Sequence, residues 1–221
     1  MRIVHFSDWH WNFQKIPEAD LYICSGDMYP DWHMPSQKVK IKQLGRVWKF
    51  TEEGYPGFKQ YLGSPESPIV CLRGNHDHAD MAPLFKGCNL IHEFIDNEVI
   101  EVEGLRITGH RGVPYINGSF SDEVLRYDLI DKVRQMADDC DIYVTHYPPQ
   151  DRWDNGYGLE GMLNWFEYST KNKNVLHCYG HIHEEGGQVL SDGHVTYSNA
   201  ATTYNILEGS PETGWKDVSP P

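Results

Sequence analysis

Five short apolar runs in this chain each lead into groups that can bind a metal. Ile3 to Ser7 is followed by Asp8-Trp9-His10, and Leu21 to Ser25 by Gly26-Asp27. Ile69 to Leu72 precedes Gly74-Asn75-His76-Asp77. Asp141 to Thr145 runs into His146, and Val175 to Tyr179 into Gly180-His181-Ile182-His183. Each run is short and carries β-branched or aromatic residues, as strands do. In an α/β sheet the carboxyl ends of parallel strands share one edge, where ligands bind. The chain is therefore constrained to a fold that gathers these five ends together.

Other segments complete an α/β reading. Glu98 to Val102 and Leu105 to Thr108 pair about Glu103-Gly104, and Gly187 to Leu190 pairs with Val195 to Ser198 around Ser191-Asp192-Gly193-His194. These hairpins make the sheet mixed. Val124, Leu125, Leu129, Val133, Met136 and Ala137 recur near a 3.6-residue period, with Ser121 as the expected N-cap. Leu159 to Lys171 and the basic stretch Gln37 to Lys49 also read as helices, and Ala79 to Phe85 as a short one interrupted by Pro83. Residues 1–207 are expected to form a single domain. Residues 208–221, rich in Pro, Gly and Ser, are expected to be a loose tail.

The 221 residues are 39% hydrophobic and 23% charged, which suits a globular chain with one core. The formal net charge of −13 gives no general attraction for nucleic acid or anionic lipid. Nucleic acid enters only as a substrate, and only if bound cations reverse the local field. No run reaches the ~18 apolar residues of a membrane span. The first ten residues turn polar too soon for a secretory signal, so a cytoplasmic protein is expected. The odd number of cysteines, Cys24, Cys71, Cys88, Cys140 and Cys178, without a closely spaced pair, reads as free thiols.

Asp8, Asp27, His10, His146, His181 and His183 offer carboxylate oxygen and imidazole nitrogen, and Asn75 a neutral oxygen. That is too many ligands for one tetrahedral zinc site. Shared by one bridging carboxylate, they suit two ions ~3.5–4 Å apart. The nitrogen and oxygen set suits Mn, Fe, Zn, Co or Ni.

The five blocks, in this order from Asp8 to His183, resemble those of the calcineurin-like metallophosphoesterase superfamily. The resemblance implies a four-layer α/β/β/α sandwich with two mixed sheets. It implies two divalent ions, with Mn²⁺ the first choice. Asp8, His10 and His183 would bind the first ion, Asn75, His146 and His181 the second, and Asp27 would bridge both. His76 resembles the family histidine that contacts the phosphoryl group and protonates the leaving oxygen. The implied activity is hydrolysis of a phosphodiester or small phosphomonoester by in-line attack of a hydroxide bridging the metals. The partner is a small phosphoester substrate rather than a membrane. In some members a second acid, three residues after the first Asp in a GDxxD block, orients this histidine; here Gly26-Asp27-Met28-Tyr29-Pro30-Asp31 places Pro30 at the expected position and Asp31 one residue late. Asp77 or Asp31 is then the candidate, or neither orients it. This departure, and the missing arginine pattern after Asp77, disfavour a phosphoprotein phosphatase.

Two alternatives stand beside this reading: a non-catalytic binding scaffold of the same fold, and a nuclease on DNA or RNA ends. A scaffold often lacks ligands that this chain retains. His5, His33, His92, His177 and His194 fall outside the blocks and read as structural, while His78 and His110 are intermediate. Trp9, Trp11, Tyr147, Trp153 and Tyr157, near Arg152 and Asn155, read equally as core cover or as a platform for a flat leaving group. Arg111 sits in a Gly-flanked turn from which it could hold a phosphate.

Overall fold

The computed structural model describes residues 1–31, 36–52, 57–170 and 172–220; His33 and Lys171 lie outside them. Elements are numbered in chain order. One six-stranded sheet contains β1 (Arg2–Phe6), β2 (Leu21–Cys24), β3 (Ile69–Leu72), β4 (Leu90–Phe94), β13 (Tyr204–Ser210) and β14 (Gly214–Asp217), ordered β14-β13-β1-β2-β3-β4. The second contains β5 (Asp96–Val102), β6 (Leu105–His110), β9 (Ile142–Val144), β10 (Val175–Tyr179), β11 (Gln188–Asp192) and β12 (Val195–Asn199), ordered β11-β12-β10-β9-β6-β5. β1 to β4 run parallel, as do β6, β9, β10 and β12, while β5, β11, β13 and β14 are antiparallel to their neighbours. A short ladder joins β7 (Val113–Pro114) to β8 (Glu123–Val124).

Period-two alternation builds the layers. Ile3, Leu21, Ile23, Val70 and Leu72 of the first sheet meet Ile107, Ile142, Val144, Leu176 and Cys178 of the second in one buried core. Their alternates, Val4, Phe6, Tyr22, Cys24 and Cys71, face outward beneath Trp9, Phe58, Phe85 and Val47 of α1 (Ser36–Glu52). On the other side Tyr143, Val175, Tyr179 and Tyr197 pack on Leu129 and Val133 of α2 (Arg126–Arg134) and on Met162 and Phe166 of α3 (Met162–Ser169). The order is helix, sheet, sheet, helix. Both sheets are buried on both faces, which explains why their central strands are nearly continuous apolar runs.

Register places the functional ends. Phe6 pairs with Cys24, and Cys24 with Cys71, so the residues after β1, β2 and β3 emerge side by side. Val144 pairs with Cys178, which brings His146 beside Gly180 in the same way. Thr145 N–H and Gly180 N–H continue the ladder by donating to Cys178 O and His146 O.

Several expectations are corrected. Ser121 does not cap α2: Glu123 and Val124 pair with Val113 and Pro114, so helix begins only after Leu125. The third helix starts at Met162, because Leu159 bridges to Pro149 and Gly161 is left-handed at φ 81°. Ala79 to Phe85 forms turns closed on Met81 O rather than a helix. Residues 208–217 are not loose. β13 and β14 form a hairpin there, and Trp215 buries its ring in the inter-sheet core. A Cβ on Gly209 would lie 2.0 Å from Gly214 O, so the glycine allows that close approach. The five cysteines are free, with Cys88 alone half-buried. No helix among the described residues is long and apolar enough to cross a membrane.

Candidate metal centre

The chain must turn sharply at each strand end for its side chain to face a common point. Asp8, His10, Asp27 and His181 all adopt left-handed backbone, at φ 56°, 45°, 53° and 73°. Such conformations cost about 1–3 kcal/mol each and persist where surroundings over-determine them. Here Asp8 N–H donates to Gly26 O, His10 N–H to Asp27 O, and His181 N–H to Asp8 Oδ2. The glycines opening three blocks have a steric role. A Cβ on Gly74 would sit 2.2 Å from Asp27 Oδ1, and one on Gly180 2.0 Å from Asp8 Oδ2. Gly26, at φ +109°, abuts Gly74 N within 2.4 Å of its missing Cβ. The Asp8 and Asp27 carboxylates therefore rest directly on backbone.

All seven sequence-predicted ligands are drawn to this edge. His10 Nε2 and His183 Nε2 are 3.2 Å apart, and His183 Nε2 is 3.2 Å from Asp8 Oδ1. Asn75 Oδ1 stands 3.0 Å from both His146 Nε2 and His181 Nδ1. His146 Nε2 is also 3.1 Å from Asp27 Oδ2 and 3.9 Å from Asp8 Oδ1. Among the described residues two groupings have metal-ligand spacing: Asp8 with His10 and His183, and Asp8 with Asp27 and His146. Asp8, rather than Asp27, is common to both.

The donor chemistry fits divalent cations. A hydrogen bond between two imidazole nitrogens needs one to be protonated, whereas a cation takes both lone pairs. His10 Nδ1 is buried without a partner. Nitrogen and carboxylate or amide oxygen, with no thiolate, suit borderline first-row metals.

Electrostatics reinforce this. Burial would raise the Asp27 carboxyl, but His146, His76 and His10 outweigh it and hold it well below the usual carboxylate range. Asp8 is lowered in the same way, with His146 and His183 overcoming burial. Burial would lower His146, yet Asp27 and Asp8 push it up to about 10. Burial beside His146 takes His181 down to about 4. The bond to Asp8 raises His183.

His76 lies at the mouth, its ring 5.0 Å from that of His10. Its backbone N–H donates to Asp27 Oδ1 at 2.7 Å, which ties it to a ligand. Asp31 Oδ1 stands 2.9 Å from His76 Nδ1. Asp77 does not serve this role. Its buried carboxyl accepts from Asp27 N–H, Tyr29 N–H and Gly74 N–H. Burial and the Asp27 charge raise it to about 8.

Sequence reasoning missed two residues. Gln43, on the buried face of α1 between Val39 and Val47, donates to His76 O and accepts from His78 N–H and Ala79 N–H. A polar residue inside an apolar i, i+4 stripe was the available signal. Phe120 packs edge-on against His76, with ring centroids 5.0 Å apart; a lone aromatic in a loop gave no signal.

The bland readings hold for most of the rest. His5 bridges Ser198 and Ser25 between the sheets, His177 meets Thr145 Oγ1, and His194 meets Thr170 Oγ1. His92 packs on Phe94, and His78 is half-buried beside Gln43. His110 is buried between Asn97 Oδ1 and the Tyr147 hydroxyl, at 2.8 Å from each. Trp9 is core and donates to Thr203 O, and Trp11 stacks near Tyr29 under the Arg46 guanidinium. Trp153 packs at the outer core, Arg152 pairs with Asp192, and Arg111 lies 3.6 Å from Asp122. Tyr157 and Asn155 do reach the site, lining a cavity of about 280 Å³ with Asn75, His76, His181 and His183.

The model of the calcineurin-like phosphoesterase family matches residues 1–185, a span that contains every residue of the cluster. Metallophosphoesterase domain-containing protein 1 of Homo sapiens is 28% identical over 225 residues, covering 85% of this chain and 67% of that protein. Its Mus musculus counterpart gives the same values. A solved archaeal phosphodiesterase aligns over 99% of both chains with a TM-score of 0.40 and 12% identity.

Proposed function

The chain belongs to the calcineurin-like phosphoesterase family, and on that premise we propose that it hydrolyses a phosphodiester or small phosphomonoester using two divalent ions, Mn²⁺ foremost. Asp8, His10, Asp27, Asn75, His146, His181 and His183 would hold them. The observation that carries this reading is the meeting of five strand ends on one edge. There, imidazole nitrogens and carboxylate or amide oxygens approach within 3.0–3.2 Å.

Bound divalent ions supply Lewis acidity toward phosphoryl oxygens and an acidified water. The chain's own groups supply the rest. His76 donates a proton to the departing oxygen. Its Nδ1–H is engaged by Asp31, which leaves Nε2 as the donor. The N–H bond to Asp27 and the Gln43 bond to its carbonyl hold the His76 backbone while the proton moves.

The test uses the metal-stripped full chain restored with Mn²⁺. Initial rates are compared on bis-p-nitrophenyl phosphate and p-nitrophenyl phosphate, with Asn75→Ala as the blank. Metal-dependent turnover lost in the variant supports the enzyme. Faster diester cleavage directs the substrate search to diesters, and faster monoester cleavage to monoesters. Undiminished turnover in Asn75→Ala would sink the assignment.

A further inference from the structure

We propose that the cavity beside His76 is a subsite for an uncharged, planar leaving group, so that the substrate is a phosphoester whose leaving arm is aromatic or heteroaromatic. This rests on the phosphoesterase reading above. The departing oxygen must come within hydrogen-bond reach of His76, so the group attached to it occupies the space adjoining that histidine. That space is the 280 Å³ cavity, which opens onto Asn75, His76, His181 and His183.

Its walls define what they accept. Phe120 lines it, its ring inclined 67° to that of His76. Ile116 and Tyr157 line it too, and each exposes a large side chain, 38% and 54%. Two rings and an aliphatic surface present apolar area that a flat group would cover, with stacked or edge-on ring contact in addition. Among the described residues no lysine or arginine lines the cavity, and Glu184 is its one carboxylate. A second anionic group carried deep on the leaving arm would thus meet the Glu184 carboxylate. An adjoining recess across Ile116, Tyr157 and His181 contains Arg126, whose guanidinium donates to Gly158 O.

The walls are also placed in advance. Ser121 N–H donates to Asn75 O at 2.7 Å, which ties the residue after Phe120 to a ligand. Tyr157 N–H donates to Asp154 O and Gly158 N–H to Asp154 Oδ2, which holds the Tyr157 turn. A preformed cavity spares the ordering cost that a mobile one would incur.

The experiment uses the full chain loaded with Mn²⁺ and two methyl phosphodiesters whose leaving alcohols have matched acidity, phenol and hexafluoroisopropanol. kcat/KM should favour the planar phenyl ester by about tenfold or more. Tyr157→Ser should lower the phenyl ester's kcat/KM about fivefold or more beyond its effect on the fluoroalkyl ester. Tyr157 is largely exposed, and a melting curve confirms that the variant folds. A 4-carboxylatophenyl ester should be slower than its 4-carbamoyl analogue, and Glu184→Gln should narrow that gap. Equal efficiency on the phenyl and fluoroalkyl esters, or equal losses in Tyr157→Ser, overturns the subsite alone. Wild-type protein that turns over neither ester above the Asn75→Ala blank overturns the phosphoesterase reading, and the subsite with it.

Discussion

Asp31 Oδ1 lies 2.9 Å from His76 Nδ1, although Asp31 stands one residue later than the family spacing places such an acid. The short side chain still reaches because the chain between them is braced: Asp77 accepts from both Asp27 N–H and Tyr29 N–H. Asp31→Asn should lower kcat about tenfold to hundredfold on a poor alkoxide leaving group, and His76→Ala by more. Both losses should shrink on p-nitrophenyl esters, whose leaving group needs little protonation. Equal losses on good and poor leaving groups would remove the pair from proton donation.

Gly180→Ala should strip the centre of metal. The new Cβ would fall 2.0 Å from Asp8 Oδ2 and 2.3 Å from Ser7 Oγ, with no slack in either direction. The strain is worth about 1–3 kcal/mol of stability. Metal content after reconstitution and a urea melt measure the two effects. Gly45→Ala is the control. Nothing lies within 4 Å of its Cβ on α1, and stability should rise by about 0.5–1 kcal/mol with metal content unchanged.

Metal affinity should climb with pH. In the metal-free protein His146, at about 10, carries a proton that a cation must displace from Nε2. Apparent affinity for Mn²⁺ should therefore rise about tenfold per pH unit per proton displaced, between roughly pH 6 and 9. Titration calorimetry in buffers of different ionisation enthalpy reads the proton release directly. Affinity that stays flat over this range would contradict the burial and charge balance at His146.

Acid should unfold this protein from the inside. Burial lowers His5 and His110 to about 3, and holds His177 well below the ordinary imidazole value. All three fold neutral, so the unfolded chain binds more protons below its own value of about 6.5. Their contribution is fully present above about pH 6.5 and is lost as pH falls toward 3, at about 1.4 kcal/mol per unit per group. Urea melts at pH 7.5, 5.5 and 4.5 should show the fall. His110→Gln should start less stable at pH 7.5 but decline with a shallower slope. An unchanged slope would mean that His110 does not titrate with unfolding.

Gln43→Leu should be costly despite its apolar neighbours. It would leave His76 O, His78 N–H and Ala79 N–H without their partner. Each unsatisfied buried group costs about 1–3 kcal/mol. A Tm drop accompanied by reduced kcat at unchanged KM would show that α1 steadies His76. A Tm drop with kcat preserved would confine Gln43 to stability.

The strand ends and the polar residues that follow them were legible because they are local facts. A run such as Val175 to Tyr179 declares itself in five residues, and His181 and His183 follow within four more. Parallel pairing then aligns Asp8, Asp27 and Asn75 at the end of one sheet and His146 and His181 at the end of the other, and the packing of the two sheets brings those ends together. What stayed hidden depends on contacts between distant segments. Ser121 looked like a helix cap until Glu123 and Val124 were seen to pair with Val113 and Pro114. Residues 208–217 looked loose because composition does not show that Trp215 has a place between the sheets. Asp31, Gln43 and Phe120 meet His76 across 45, 33 and 44 residues of chain. Sequence alone determined where the candidate ligands fall along the chain, since periodicity and turn position act over a few residues. Only the tertiary structure decided what surrounds His76, because loop contacts are set by packing of the whole sandwich rather than by any local preference.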